Sequence, residues 1–277
     1  MAPEFLTQIS RSNDNSKLSQ PIVTLYERPG LFLSKTEQLS FVNELREVAM
    51  ASLHYTDSSQ LPDYQCLAVD DPSVLSDKLI AVGLSPSTGR IIGFMSSVVV
   101  EIPNLAEGFA IHAGLACINP KLGAFPGLSK RLTSAIVEGY FRANSSVRKI
   151  WVTNRSTNLS TLGLFAQTVQ AVFPSPFLPT TPPTSEYLTI ATAIASSPSR
   201  SLNVAPAELD PGSFLVRGRP FQPGHAEEDE RNKRYRAANP EMWRFYRKYL
   251  DDVGSNAGDG VVLPIIQVGY ITPPTLA

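Results

Sequence analysis

Between Ile118 and Leu132 the sequence reads INPKLGAFPGLSKRL. An apolar run stops at Pro120, Gly123 and Gly127 flank Ala124-Phe125-Pro126, and a basic, helix-compatible segment follows. Residues of these types in this order can bind an anion. The first turn of a helix carries backbone N–H groups without intrahelical partners and a partial positive charge, which suits a pyrophosphate. Gly127 would let the backbone approach such a group, and Ser129 would add a hydroxyl donor without bulk. Lys130 and Arg131 would add positive charge, whereas Pro126 removes one donor. The plain alternative is a strand-to-helix turn with no ligand.

The remaining reactive side chains are scattered. Cys66 and Cys117 are the only cysteines, too few for a disulfide framework, and neither has Cys or His at metal-ligand spacing. His54, His112 and His225 stand far apart, so no metal centre is predicted. Cys117 lacks a His or Asp at a nucleophile's spacing and reads as a small buried apolar residue.

The elements around the loop are legible from periodicity and turn chemistry. Residues 1–20, rich in Ser, Asn and Gln, read as a flexible leader. IVTLYE from Ile22 to Glu27 suits a strand ended by Pro29-Gly30. Ser34 and Glu37 form a capping-box pattern, and Leu39, Val42, Leu45 and Val48/Ala49 predict a helix over roughly Lys35–Ser52. Lys78–Ile118 reads as three successive antiparallel strands, with SPSTG as the first turn. A helix follows the loop to about Asn144, VRKIWVTN is a strand, and NLSTLGLFAQTVQAVF is a helix capped by Asn158. YLTIATAIA is predicted as a strand. Asn239-Pro240 opens another helix, and GVVLPIIQVGYI closes the chain as a buried strand kinked at Pro264.

Composition narrows the partners. With 24 basic and 25 acidic residues the chain offers no global field for nucleic acid or an anionic membrane. The segment RNKRYRAANPEMWRFYRKYL is basic and aromatic, but Met242, Phe245, Tyr246 and Tyr249 recur at helical spacing and predict a core face. Arg244, Arg247 and Lys248 then lie on its solvated side. No apolar stretch approaches the roughly 20 residues of a membrane helix, and the first residues lack the apolar centre of a secretory signal. The expectation is a soluble, cytoplasmic protein with neither nucleic acid nor membrane as a partner.

From about Lys78 to Phe173 the order strand, strand, strand, Gly loop, helix, strand, helix resembles the GCN5-related N-acetyltransferase superfamily. That family's signature is an apolar strand ending in V-x-P, then R/Q-x-x-G-x-G/A, then a helix. Ile118-Asn119-Pro120 matches the strand end, and with one extra loop residue Ala124, Gly127 and Ser129 fall at the three signature positions. Asn158 to Phe165 is similar to the family's N-x-x-A-x-x-L-Y element. The resemblance implies an α/β (α+β) fold with a mixed, mostly antiparallel central sheet flanked by helices. It implies one acyl-CoA N-acyltransferase-like domain over residues 21–277, with a core of about 22–195 and a C-terminal helix–strand extension of about 196–277.

The same resemblance implies acetyl-CoA as acyl donor and an amine, on a small molecule, as acceptor, by direct transfer in a ternary complex. The coenzyme would be held by Gly123, Ala124, Phe125, Gly127, Leu128, Ser129 and Lys130, by the backbone around Cys117 and Ile118, and by Asn158. Where the family often has a thiol-protonating Tyr, this chain has Phe165; Tyr140 and Tyr270 are possible substitutes. His112 and Glu101 are the candidate bases. Each has a plainer reading, a hydrogen-bonded core or edge histidine for His112 and a solvated strand end for Glu101. Two alternatives stand beside the transferase: a catalytically degenerate binding or scaffold protein on this fold, and an acyltransferase using a different acyl-CoA.

Overall fold

The structure is a computed structural model. It describes residues 8–9, 20–61, 63, 65–69, 72–122, 125–144, 146–178, 184–196, 208–217, 230–254 and 263–273. In chain order the elements are β1 (Gln8–Ile9), β2 (Ile22–Glu27), α1 (Lys35–Leu53), β3 (Lys78–Leu84), β4 (Ile91–Glu101), β5 (Phe109–Ile118) and α2 (Leu128–Ala143). They continue with β6 (Ile150–Ser156), α3 (Leu159–Thr168), β7 (Gln170–Phe173), α4 (Ser185–Ser196), β8 (Glu208–Leu209), β9 (Val216–Arg217), α5 (Glu230–Ala238), α6 (Pro240–Gly254) and β10 (Ile265–Ile271). Strand pairing is mixed and mostly antiparallel, with helices against the strands, as expected. The chain divides into two compact units, and both β4 and β5 run from one into the other.

The first unit comprises the described residues within 1–99 and 114–147. Its strands lie in the order β1-β2-β3-β4-β5. Successive side chains point to opposite faces of a strand. Ile80 and Val82 of β3 therefore pack with Phe41, Val42, Leu45 and Val48 of α1, while Gly83 and Gly93 turn the other way, toward Leu128 of α2. The capping box opens α1 as predicted: Ser34 N–H donates to Glu37 Oε2 at 2.8 Å, and Glu37 N–H to Ser34 Oγ at 3.3 Å. Leu39 departs from its expected place and is exposed, its turn of the buried stripe being filled by Gln38 and Phe41. Within the predicted leader, Gln8 and Ile9 pair with Thr24 and Val23. That pairing covers part of the outer edge of β2.

The second unit comprises the described residues within 100–113, 148–199 and 205–277. Here β5 runs parallel to β6, and β10 lies between β6 and β7, antiparallel to both. The C-terminal strand thus sits inside the sheet, and it begins immediately after Pro264, where a missing N–H disrupts no ladder. Gln267 of β10 is fully buried, accepts from Asn154 Nδ2 at 3.3 Å and donates to Tyr246 Oη at 2.7 Å. Tyr246 in turn donates to the Pro174 carbonyl at 3.0 Å, which ties α6 to the sheet through satisfied polar groups.

Two sequence expectations change in this unit. YLTIATAIA is the helix α4, not a strand: Tyr187, Ile190, Ala191, Ile194 and Ala195 are buried at i, i+3, i+4, i+7 and i+8. The helix from Asn158 stops at Thr168, because Gln170–Phe173 finds an edge of β10 to pair with. The predicted faces of α6 hold in part: Met242 and Tyr246 are buried and Arg244, Arg247 and Lys248 exposed, but Phe245 and Tyr249 are only half-buried and Trp243 is buried instead. Among the described residues, no helix is long and apolar enough to cross a membrane.

Candidate active site

The loop after β5 is built from local hydrogen bonds. Asn119 N–H donates to Ile92 O at 2.8 Å, closing the strand pairing, and Asn119 Oδ1 accepts Lys121 N–H at 2.9 Å. A single 3-10 turn, Pro120–Leu122, follows. Gly123 and Ala124 lie outside the described residues. The Phe125 carbonyl accepts Leu128 N–H at 3.1 Å, and α2 begins.

Gly127 sits at the N-cap of α2 with φ 79° and ψ 0°, a left-handed conformation that suits glycine. Among the described residues, nothing lies within 4 Å of a Cβ built there. Among the described residues no side chain caps this end, and its first turn carries no acid. Gly127, Ser129 and Lys130 are exposed, and Phe125 is half-buried. The helix is seated by Leu128, buried where Gly83 and Gly93 leave room for its methyl groups. Arg131 does not join the loop's charge, since its guanidinium donates to the Pro21 carbonyl at 2.8 Å.

On β5, Cys117 is buried, and the Ile118 N–H donates to Ser52 Oγ at 3.3 Å. A ligand amide seeking that N–H would have to displace a hydroxyl. The Leu115 N–H donates to Gln65 Oε1 at 3.3 Å. Gln65 was not foreseen: it lies in a Pro- and Asp-rich stretch with no periodic signal, yet its side chain fills the space where Gly114 lacks one.

Of the catalytic candidates, His112 is 2% exposed, and its Nδ1 lies 2.8 Å from Thr153 Oγ1. Burial, with the nearby Arg155 guanidinium adding to it, pushes its pKa down to about 3. It is a neutral core imidazole, which fits its plainer reading. Glu101 ends β4 exposed to solvent. Asn158 caps α3: its Oδ1 accepts Thr161 N–H at 3.1 Å and Ser160 Oγ–H at 2.7 Å. Phe165 is buried on α3. Tyr140 lies twelve residues along α2 from Leu128, about 18 Å down the axis, and the Tyr270 ring faces Lys149 and Trp151. Among the described residues, no group of three or more His, Cys, Asp and Glu could hold a metal ion.

No protein-family model matches this chain, and no curated protein does. Solved structures are similar to it over about half its length. An acetyltransferase from Vibrio fischeri is 20% identical with a TM-score of 0.29, covering 48% of this chain and 94% of its own. An acetyltransferase of the GNAT family from Streptococcus pneumoniae is 12% identical with a TM-score of 0.32, covering 54% and 86%. An aminoglycoside N-acetyltransferase solved with coenzyme A is 9% identical with a TM-score of 0.31, covering 49% and 74%. At these values the likeness carries no weight for activity, which rests on the residues themselves.

Proposed function

We propose that this chain is a divergent acetyl-CoA-dependent N-acyltransferase that transfers the acyl group directly to an amine on a small molecule. The observation that supports the reading is the amino end of α2. A sixteen-residue helix begins at an exposed left-handed glycine, with no acid in its first turn and, among the described residues, no side-chain cap. A helix's amino end offers amides and a partial positive charge to a diphosphate, although here the Leu128 N–H already donates to the Phe125 carbonyl. Gly127 gives close backbone approach, Ser129 a hydroxyl and Lys130 a charge, while Leu128 holds the turn in place. The bound coenzyme would supply an activated thioester.

The chain's share of the chemistry is then chiefly positioning, worth effective molarities of about 10⁵–10⁸ M, against about 10²–10⁴-fold for general acid–base help. Of the two candidate bases, Glu101 is exposed whereas His112 is buried and neutral, so Glu101 is the proposed proton acceptor. A near-neutral formal charge of -1 favours a small acceptor over a basic polypeptide tail. The cysteines, neither in a disulfide, agree with a reducing compartment such as the cytoplasm.

Buried Phe165 favours a second reading, a coenzyme-binding protein that does not turn over. Equilibrium dialysis with acetyl-CoA and a thiol-release assay across a panel of amines separate the two. Binding with thiol release supports the transferase, and binding without it supports the second reading. A folded sample that binds nothing at high micromolar acetyl-CoA defeats both.

A further inference from the structure

In the second unit, three elements converge on one ammonium group. Lys149 precedes β6 on an irregular connecting segment. Its Nζ lies 4.2 Å from the centroid of the Trp151 ring and 5.7 Å from that of Tyr270. It is also 2.9 Å from Glu107 Oε1, the two side chains being 29% and 19% exposed. The second carboxylate oxygen, Oε2, accepts Trp151 Nε1–H at 2.9 Å. Glu107 is therefore oriented by the indole, independently of the lysine.

The walls are rigid. Trp151 is buried, with the Tyr187 ring against it edge-on at 5.2 Å and the Tyr270 ring at 5.8 Å and 79°. Tyr187 is in turn held by its hydroxyl, which donates to Ala171 O. Burial alone would raise the Glu107 carboxyl, but the bonds from Lys149 and Trp151 outweigh it and hold the group below its ordinary value. Aromatic faces beside a preoriented carboxylate form an ammonium-recognising arrangement. The occupant, by contrast, is a flexible four-carbon stem on a connecting segment and is the part of the cluster that can leave.

We propose that Glu107, Trp151 and Tyr270 form a binding site for the protonated amine of a primary alkylammonium ligand, with Lys149 as its internal, displaceable occupant. The site's shape is that of its occupant's own stem, so n-butylammonium is the matched probe. Lys149 sets the affinity by competing for the same contacts. The site stands on the second unit alone and does not rest on the coenzyme reading.

Calorimetric titration of the full chain with n-butylammonium chloride at pH 7 and constant ionic strength tests it. Lys149→Ala should bind at least tenfold more tightly than wild type, and Lys149→Ala/Glu107→Gln should lose at least tenfold of that gain. n-Butanol, isosteric but uncharged, should show no saturable binding. Thermal melts give an independent readout, since n-butylammonium should raise the Tm of Lys149→Ala more than that of wild type. If Lys149→Ala does not fold, Lys149→Gln takes its place in both comparisons. Binding no tighter than wild type in the folded variant, or binding unaffected by Glu107→Gln, overturns the proposal.

Discussion

His112 Nδ1 and Thr153 Oγ1 lie 2.8 Å apart on two parallel strands, with the imidazole 2% exposed. The ring is neutral in the fold, its pKa pushed from 6.5 to about 3 by burial and by Arg155. In the unfolded chain the same histidine protonates near pH 6.5. Its contribution to stability is therefore whole above about pH 6.5 and drains away as pH falls toward 3. The expected loss is about 1.4 kcal/mol per pH unit within that window. His112→Gln should flatten this part of the stability-versus-pH profile, measured by urea unfolding between pH 4 and 7. An unchanged slope would mean that folding does not shift the imidazole's titration.

At the amino end of α2, charge has opposite effects on the helix and on an anionic ligand. Ser129→Glu places a carboxylate in the first helical turn, which should hold stability level or raise it by about 0.3–1 kcal/mol. The same carboxylate would repel a diphosphate. Acetyl-CoA affinity should fall at least tenfold, about 1.4 kcal/mol, while the Tm stays level or rises. Unaltered affinity would remove the coenzyme from this turn.

Local signals carried much of the fold. The capping box at Ser34 and Glu37, the three strands from Lys78 to Ile118, the cap at Asn158 and the buried faces of Met242 and Tyr246 are all short-range patterns that the structure repeats. What failed depended on tertiary partners. YLTIATAIA has β-branched residues that suit a strand, but burial against its neighbours selects the helical period. Gln170–Phe173 became a strand because β10, about a hundred residues later, supplies an edge. The candidate site was legible only as a turn. Gly127 was readable, whereas Gln65 against Gly114, and Lys149 among Glu107, Trp151 and Tyr270, join residues that no spacing rule connects.

Asn158 tests whether a matched motif residue touches a ligand or only starts a helix. Its Oδ1 is committed to Thr161 N–H and Ser160 Oγ–H. Asn158→Ala should cost about 1 kcal/mol through loss of the cap, and Asn158→Ser should restore most of it. If capping is the whole role, acetyl-CoA affinity will be the same in both variants. A loss of affinity that Ser does not restore would assign the amide to the ligand.

The contact between Gln65 and Gly114 makes the last prediction. A Cβ on Gly114 would overlap Gln65 Oε1 and stand 2.8 Å from the Ser96 carbonyl oxygen, a backbone atom that cannot swing aside. Gly114→Ala should therefore destabilise by about 1–3 kcal/mol, as overpacking does. Gln65→Ala leaves the Leu115 N–H without this side-chain acceptor, which costs about 1–3 kcal/mol when such a group is buried. The double variant removes the larger overlap but keeps the Ser96 contact. Its loss should fall short of the sum of the singles by about 0.5–3 kcal/mol, the range for residues in contact. Denaturant unfolding of the four proteins measures this coupling directly. Strict additivity would mean that Gln65 does not occupy the space glycine leaves, and that some other demand keeps position 114 without a side chain.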